Sequence, residues 1–470
     1  MPGKLIVVSN RIPMGDPSSG GLAVALHDVL SKSGGVWIGA HPESGEGTDD
    51  LELVGSEQYQ RLAFRLSEKE FENYYLGFSN SVLWPLCHRR GDLVDHHPGF
   101  EDCYRAVNRR IARMIARVVG RDDVIWVHDY HLLPLARELQ QLGVQNRIGL
   151  FLHIPFPALG DLSMLAHPDE FTDWLSHFNL VGLQTRGDVA RCLEVYRADP
   201  RAEFLPSGSV RFLDRIVTVR AFPIGIDVKG FRAGLDADDA NPFGSERPET
   251  LIIGVDRLDY SKGLPNRFRA FGRYLEKRPE GTRPCFVQIA PPSREQVQAY
   301  QDITRELEEI AGRLNGAYAE MDWTPIRYIH RNVDRVSLAR LHNMARACLV
   351  TSLADGMNLV AKEFVAAQDP DDPGVLILSR FAGAAEDMTN ALLVNPYDVE
   401  DIAAAINTAL TMQRDERVMR HRALMKVVQD TDASVWATAF LRVLDSCPMS
   451  LAESLMKRLG TAAKHQQAMS

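Results

Sequence analysis

The sequence predicts an α/β protein made of two doubly wound, Rossmann-like domains in series, facing each other across a cleft. Three observations predict it. Short β-branched runs alternate with longer amphipathic stretches along the chain, the pattern of parallel sheets covered by helices. One segment, "FPIGIDVKGFRAGLDADDANPFGSERPET" (222–250), breaks that rhythm with Pro, Gly and Asp, as a linker does. A chain of 470 residues also exceeds what one hydrophobic core usually serves.

In the first half, strands are expected at "KLIVVS" (4–9), "GVWIGA" (35–40), "DVIWVHD" (123–129), "RIGLFLH" (147–153) and "NLVGLQ" (179–184). Between them lie helices such as "AVNRRIARMIARVV" and "LLPLARELQQLG", the latter stopping at a glycine. After the linker, strands are expected at "TLIIGVD" (250–256), "PCFVQIA" (284–290), "IRYIH" (326–330), "ACLVTSL" (347–353), "GVLILS" (374–379) and "ALLVNP" (391–396). The domains expected are therefore 1–225 and 226–445, with the last helices free to return to the first domain and a polar tail at 446–470.

Apolar residues make up 45% and charged residues 24%, an ordinary soluble balance. A net charge of −9 carries no basic stripe for nucleic acid, so an anionic ligand has to be held by a local cluster. The start, "MPGKLIVVSNR", is too short in apolar residues for a signal peptide or a membrane span. Six scattered cysteines without a C-x-x-C pair read as reduced thiols, and a cytoplasmic location is expected.

Ligands of open α/β sheets sit at the carboxyl ends of the strands, so the chemistry is sought in the loops that follow them. Arg257 and Lys262 lie in such a loop, just before a helix with Pro265 near its start. Two cations beside a helix N-terminus ask for an anion; the alternative is surface pairing with Asp256 and Asp259. The pattern recurs in "LVTSLADGMNLVAKEFVAAQ" (349–368), where a helix begins near Asn358 and leaves the amides of Met357 to Val360 outward. Glu363 follows Asp355 by eight residues, about 12 Å if helical, a span suited to a sugar, phosphates and a ribose diol. Read alone, Asp355 is equally a turn residue and Glu363 a solvated helical face. Gly20 and Gly21 precede another helix and permit close approach of a phosphate.

"VHDYHLLPLA" (127–136) ends a strand on His128, Asp129, Tyr130 and His131; with no third ligand at a suitable spacing, no metal is expected. His153 closes "FLHIPFP", and "NYYLGFSNSVLWPLCH" (73–88) concentrates Tyr75, Asn80 and Trp84, as core filling or as a platform for a sugar face. Arg294 again follows a strand. Neither G-x-G-x-x-G nor a P-loop is present, which removes support from a dehydrogenase or P-loop enzyme. No cofactor is expected. The "DAD" at 236–238 lies in the linker and reads as surface charge.

Taken together, "VVSNR" with "GGLAVAL", "FSNSVLWPLCH", "IWVHDYHLLPLA", "FLHIPFP", "PIGID", "RLDYSKGLPNRF", "QIAPPSR", "VQAYQDI", "DGMNLVAKEFVAAQDP" and "NPYD" resemble the trehalose-6-phosphate synthases, retaining glycosyltransferases of the GT-B fold in family GT20. The resemblance runs in order from residue 4 to residue 445. It implies UDP-glucose as donor, glucose 6-phosphate as acceptor, α,α-trehalose 6-phosphate as product and no need for a divalent metal.

Residue by residue, it implies that Arg257 and Lys262 grip the donor pyrophosphate with Gly21 packed against it. Asp355 would meet the donor glucose hydroxyls, and Met357, Asn358, Leu359 and Val360 would offer backbone to sugar and phosphate. Glu363 would hold the ribose, and backbone near Val333 the base. Asp129 and His153 would stand near the reacting sugar, and Arg11, Tyr75, Trp84, Asp129, Tyr130 and Arg294 would form the acceptor pocket. The implied mechanism is front-face transfer in which the leaving phosphate receives the acceptor's proton, with Asp129 as base the competing view.

The sequence departs from the family at Ala40 and His41, where relatives carry an aromatic residue and a serine-glycine pair, at "ALGDLSMLAHP" (158–168), and in a short first glycine loop. All lie in the acceptor half, so a different phosphorylated polyol or pseudosugar acceptor is the alternative. A silent sensor of nucleotide sugar is a third reading. Neither nucleic acid nor membrane is an expected partner, and homo-oligomerisation is left open.

Overall fold

The computed structural model describes residues 3–15, 21–236, 242–244, 247–294 and 296–449, with Gly21, Leu22 and Asp236 described as backbone only. Contacts divide the chain into two α/β units. Of the described residues, one comprises those up to Gly15, Leu26–Phe222 and those from Ala437; the other comprises 21–25 and those within Pro223–Trp436. The expected boundary at 225 thus falls at 222/223. The segment read as an irregular linker holds a helix, Val228–Asp236, whose Phe231 is buried.

In the first unit the strands are β1 (Leu5–Arg11), β2 (Val36–Ala40), β3 (Glu52–Gly55), β4 (Gln60–Phe64), β5 (Val124–His128), β6 (Ile148–Phe151), β7 (Leu180–Leu183), β8 (Ala202–Phe204), β9 (Val210–Phe212) and β10 (Arg215–Ala221). They form one sheet ordered β3-β4-β2-β1-β5-β6-β7-β10-β9-β8. Pairing is parallel from β4 through β10 and antiparallel at both edges. The helix expected over 106–119 begins earlier, at Phe100 after Gly99 (φ 94°), with Glu101 and Asp102 in its first turn, where they complement the macrodipole. The last helix, Ala433–Ser446, lays Phe440 on Trp126, ring centroids 4.8 Å apart. Gly182 of β7 allows this, since a Cβ there would come within 2.6 Å of the Phe440 ring.

The second unit carries β11 (Thr250–Val255), β12 (Pro284–Ile289), β13 (Ile326–Ile329), β14 (Ala347–Val350), β15 (Val375–Ser379) and β16 (Leu392–Val394). All pairs are parallel, in the order β13-β12-β11-β14-β15-β16. β12, β14 and β15 are buried at every residue, as strands covered on both faces must be. Counted from β11, this is the 3-2-1-4-5-6 order of dinucleotide-binding sheets, whose ligand crevice opens where strands 1 and 4 diverge. In the first unit the corresponding reversal lies between β1 and β5.

Candidate active site

At the second unit's reversal, two loops meet: 256–263 after β11 and 351–358 after β14. Leu353 N–H donates to Ser261 O at 2.7 Å and joins them. Beneath them Arg267, fully buried, places its guanidinium 2.8 Å from Asp256 and donates to Thr351 Oγ1 (2.9 Å) and Gln288 Oε1 (2.8 Å). Burial raises the Asp256 pKa, and Arg267 and Lys262 oppose that shift. Asp259 receives Tyr300 OH at 2.9 Å and Arg294 at 3.2 Å. The acids that sequence alone offered as partners for Arg257 and Lys262 thus meet Arg267 and Arg294.

Lys262 Nζ lies 2.5 Å from Asp355 Oδ2, an oxygen that also accepts from Ser352 Oγ and Asn358 Nδ2, each at 3.1 Å. Arg257 projects from the same loop and is exposed. Asn358 has φ 72°, a conformation costing of order 1–3 kcal/mol for a non-glycine residue. There its side chain accepts from Ala361 N (3.2 Å) and caps Leu359–Ala367. Met357 is buried, while Leu359 and Val360 in the helix's first turn are half-buried. Glu363, one turn on, is half-buried too, and desolvation raises its pKa to about 7 against the pull of Arg335. Val333 sits in the loop after β13, on the same edge of the sheet. Gly21 heads the helix Gly21–Ser33, and the rest of that glycine loop, 16–20, lies outside the described residues.

At the first unit's reversal, Arg11 ends β1 with its guanidinium 4.9 Å above the Tyr75 ring. Tyr75 stacks on His131 (5.8 Å) and Phe71 (5.1 Å). It is presented by Phe71–Leu83, a π-helix, a form that gathers at functional sites. Tyr130 OH donates to Asn80 at 2.8 Å, and Trp84 packs 5.7 Å from Tyr130. Both rings are almost wholly buried, at 1% and 4% exposure, so they form the wall behind Tyr75 and His131 rather than an open platform. A pocket open to solvent is lined by Arg11, Tyr75, Ala40, His41, Glu43 and Ser44. Ala40 and His41, one of the three departures expected from the resemblance, thus face the same space as Arg11 and Tyr75.

Asp129 follows β5 with φ 76° and ψ 170°, a glycine-like conformation. Its N–H donates to Phe151 O (2.8 Å), and its Oδ1 accepts from His153 N (3.2 Å), which pins the ends of β5 and β6 together. His153 Nε2 lies 3.1 Å from His128 Nδ1. Burial drives both imidazoles down, His153 to about 3, so each is neutral near pH 7 and can share only one proton across that contact. Arg294 (φ 49°) belongs to the second unit, with its side chain 5% exposed and bound to Asp259 and Tyr300. Sequence reasoning missed Arg267 and Ser352. Arg267 was hidden because an arginine in a helix reads as solvated; its place on the buried stripe with Phe268 and Phe271 was the usable signal.

An all-parallel nucleotide-type sheet with a cation-and-amide cradle at its reversal, joined to a second Rossmann-like unit, defines a nucleotide-sugar transferase of the GT-B class. The chain belongs to glycosyltransferase family 20, whose model matches residues 8–446. It is 43% identical over 471 residues to the trehalose-6-phosphate synthase of Enterobacter sp. (strain 638), across 98% of this chain and 99% of that protein. A UDP-forming α,α-trehalose-phosphate synthase from Burkholderia xenovorans, solved with glucose-6-phosphate, is 42% identical with a TM-score of 0.90, covering 94% of this chain and 100% of that one. An E. coli structure bound with UDP-2-fluoro glucose is 43% identical with a TM-score of 0.89, covering 94% and 98%.

Proposed function

We propose that this protein transfers glucose from UDP-glucose to glucose 6-phosphate with retention, giving α,α-trehalose 6-phosphate and UDP. The observation that carries the reading is the paired cradle of the second unit, Arg257 and Lys262 on one loop and the Asn358-capped helix start on the next. As the glycosidic bond breaks, negative charge gathers on the leaving diphosphate. Cations and helix amides fixed there stabilise the transition state more than the ground state. Lys262 reaches both ends of the donor: diphosphate draws its ammonium from Asp355, and the released carboxylate turns to the glucose hydroxyls. Glu363 accepts from the ribose, and backbone near Val333 meets the base. Arg11 and Tyr75 take the phosphosugar, with Trp84 and Tyr130 behind them.

Neutral His153 is suited to a sugar hydroxyl rather than to a charge. Asp129 accepts from His153 N and orients that strand end; the acceptor's proton passes to the departing phosphate oxygen. No helix among the described residues is long and apolar enough to cross a membrane. No disulfide joins the six cysteines, which fits a reducing cytoplasm.

Incubating the purified protein with both sugars and following phosphorus resonances tests the reading: UDP and a phosphorylated non-reducing disaccharide are expected, and their absence overturns it. Arg257→Ala is expected to lower kcat/KM by about 10³-fold, roughly 4 kcal/mol, as for other transition-state charge contacts. Ala40 and His41 in the acceptor cavity favour one second reading, the same donor with another phosphorylated polyol. A panel of phosphorylated acceptors decides between them by kcat/KM.

A further inference from the structure

The chain passes between its two units at Phe222/Pro223 and again at Trp436/Ala437. Within the second unit, the segments that lead to these crossings lie against each other. A Cβ on Gly225 would stand 1.5 Å from the Thr431 carbonyl oxygen, so glycine is required for the approach. One side chain holds both segments. Lys362 Nζ donates to Ile224 O at 2.7 Å and to Thr431 Oγ1 at 3.0 Å, and the residue is 2% exposed. Thr431 Oγ1 donates onward to Val427 O at 2.8 Å, so its direction is fixed.

Lys362 belongs to the helix Leu359–Ala367, between the capping Asn358 and the half-buried Glu363. The far end of that helix is held separately, by Arg232 Nη1 on Ala366 O (2.7 Å) and His421 Nε2 on Val365 O (3.1 Å). Near its start, where the donor is to bind, the tie runs to the crossings. An aliphatic residue would fill the same space without desolvating an ammonium, a cost that hydrogen bonds offset only in part. What the ammonium adds is direction: two acceptors on two different chain segments, fixed relative to one helix. Burial lowers the Lys362 pKa to about 8, with Asp387 the acid that opposes the shift, so the tie is cationic at neutral pH.

We propose that Lys362 is a positioning residue for the donor, its ammonium coupling the seat of UDP-glucose on Leu359–Ala367 to the conformation of both chain crossings. The proposal rests on the donor assignment above. Lys362→Met keeps length and volume and removes the tie. The expected result is about a tenfold rise in KM for UDP-glucose with KM for glucose 6-phosphate within twofold, a split that general loss of stability does not produce. Amide exchange supplies the second readout. In the wild type, saturating UDP slows exchange at 223–227 and 430–436; in Lys362→Met at equal saturation that slowing is lost.

If Lys362→Met does not fold, Thr431→Val, which removes one acceptor only, carries the test with about a threefold rise in donor KM. Unchanged donor KM in the folded variant, or UDP protection of the crossings that survives the substitution, overturns the proposal. Arg257→Ala separates this from failure of the donor assignment. If Arg257→Ala loses UDP binding and Lys362→Met does not, the donor site stands and the coupling falls. If Arg257→Ala binds UDP as the wild type does, the donor assignment itself is wrong.

Discussion

The two units place their candidate sites at the same topological point, the reversal beside their first strand, yet build them from different chemistry. The second unit uses ions: Arg267 buried on Asp256, Arg294 on Asp259, Lys262 on Asp355, with a capped helix start above them. The first uses rings: Arg11 over Tyr75, Tyr75 on His131, Trp84 behind Tyr130, with two neutral histidines at the ends of β5 and β6. A diphosphate is recognised by charge that must not move when the bond breaks, and a pre-formed ionic scaffold supplies that. A phosphosugar needs one cation and shaped apolar faces, which aromatic stacking supplies.

That contrast can be broken by substitution, and the largest effect lies beneath the donor loops. Arg267→Met leaves Asp256 buried without its guanidinium. Losing one partner of a buried ion pair typically costs about 3–5 kcal/mol, so a fall in the denaturant midpoint is expected; an unchanged midpoint would mean that the donor loops do not rest on this pair. In the acceptor half the losses are smaller. Tyr75→Ala removes a cation–π contact and two stacks and is expected to raise the acceptor KM about tenfold, roughly 1–2 kcal/mol, leaving the donor KM unchanged. Equal effects on both KM values would erase the division between the halves.

The smallest effect is a pH dependence confined to the donor. Because burial raises the Glu363 pKa to about 7, this carboxyl is protonated below that pH in the ligand-free protein. Its raised pKa favours the ligand-free fold at low pH, and that contribution fades as pH rises through 7 and the buried group ionises. Ribose hydroxyls stabilise the ionised form. UDP-glucose affinity is therefore expected to fall by up to about tenfold per pH unit below 7, with a proton released on binding. Calorimetry in buffers of different ionisation enthalpy reads that proton. Glu363→Gln is expected to abolish both the release and the slope, and a retained slope would assign it to another group.

The same contrast explains what was legible in the sequence. The donor cradle occupies two continuous stretches, 254–271 and 349–368, each a buried strand followed by a turn and a helix start, so local pattern alone exposed Arg257, Lys262, Asp355 and Glu363 as candidates. The acceptor half gathers Arg11, Ala40 and Asp129 from separated strand ends and Tyr75 from a π-helix, and no local periodicity links them; family resemblance was needed to group them. Strands with long apolar runs were readable. The short edge strands β3 and β8 were not, because half-exposed edges lack that run, and β4, β9 and β10 were missed too, their apolar residues being interrupted by polar ones. The partners of Asp256 and Asp259 were also hidden. Arg267 follows Asp256 closely in sequence but on the next helix, and Arg294 comes from a loop 35 residues after Asp259; only the fold shows that buried arginines hold these acids.

The central claim is that a departing diphosphate is neutralised by Arg257, Lys262 and the start of Leu359–Ala367. A crystal structure with UDP bound tests it most directly. The account predicts the β-phosphate within hydrogen-bonding distance of Lys262 Nζ and the amides next to Asn358, with Arg257 closing over it and the Lys262–Asp355 contact opened. A diphosphate lodged away from these groups, or Lys262 still 2.5 Å from Asp355 in the occupied site, would contradict it.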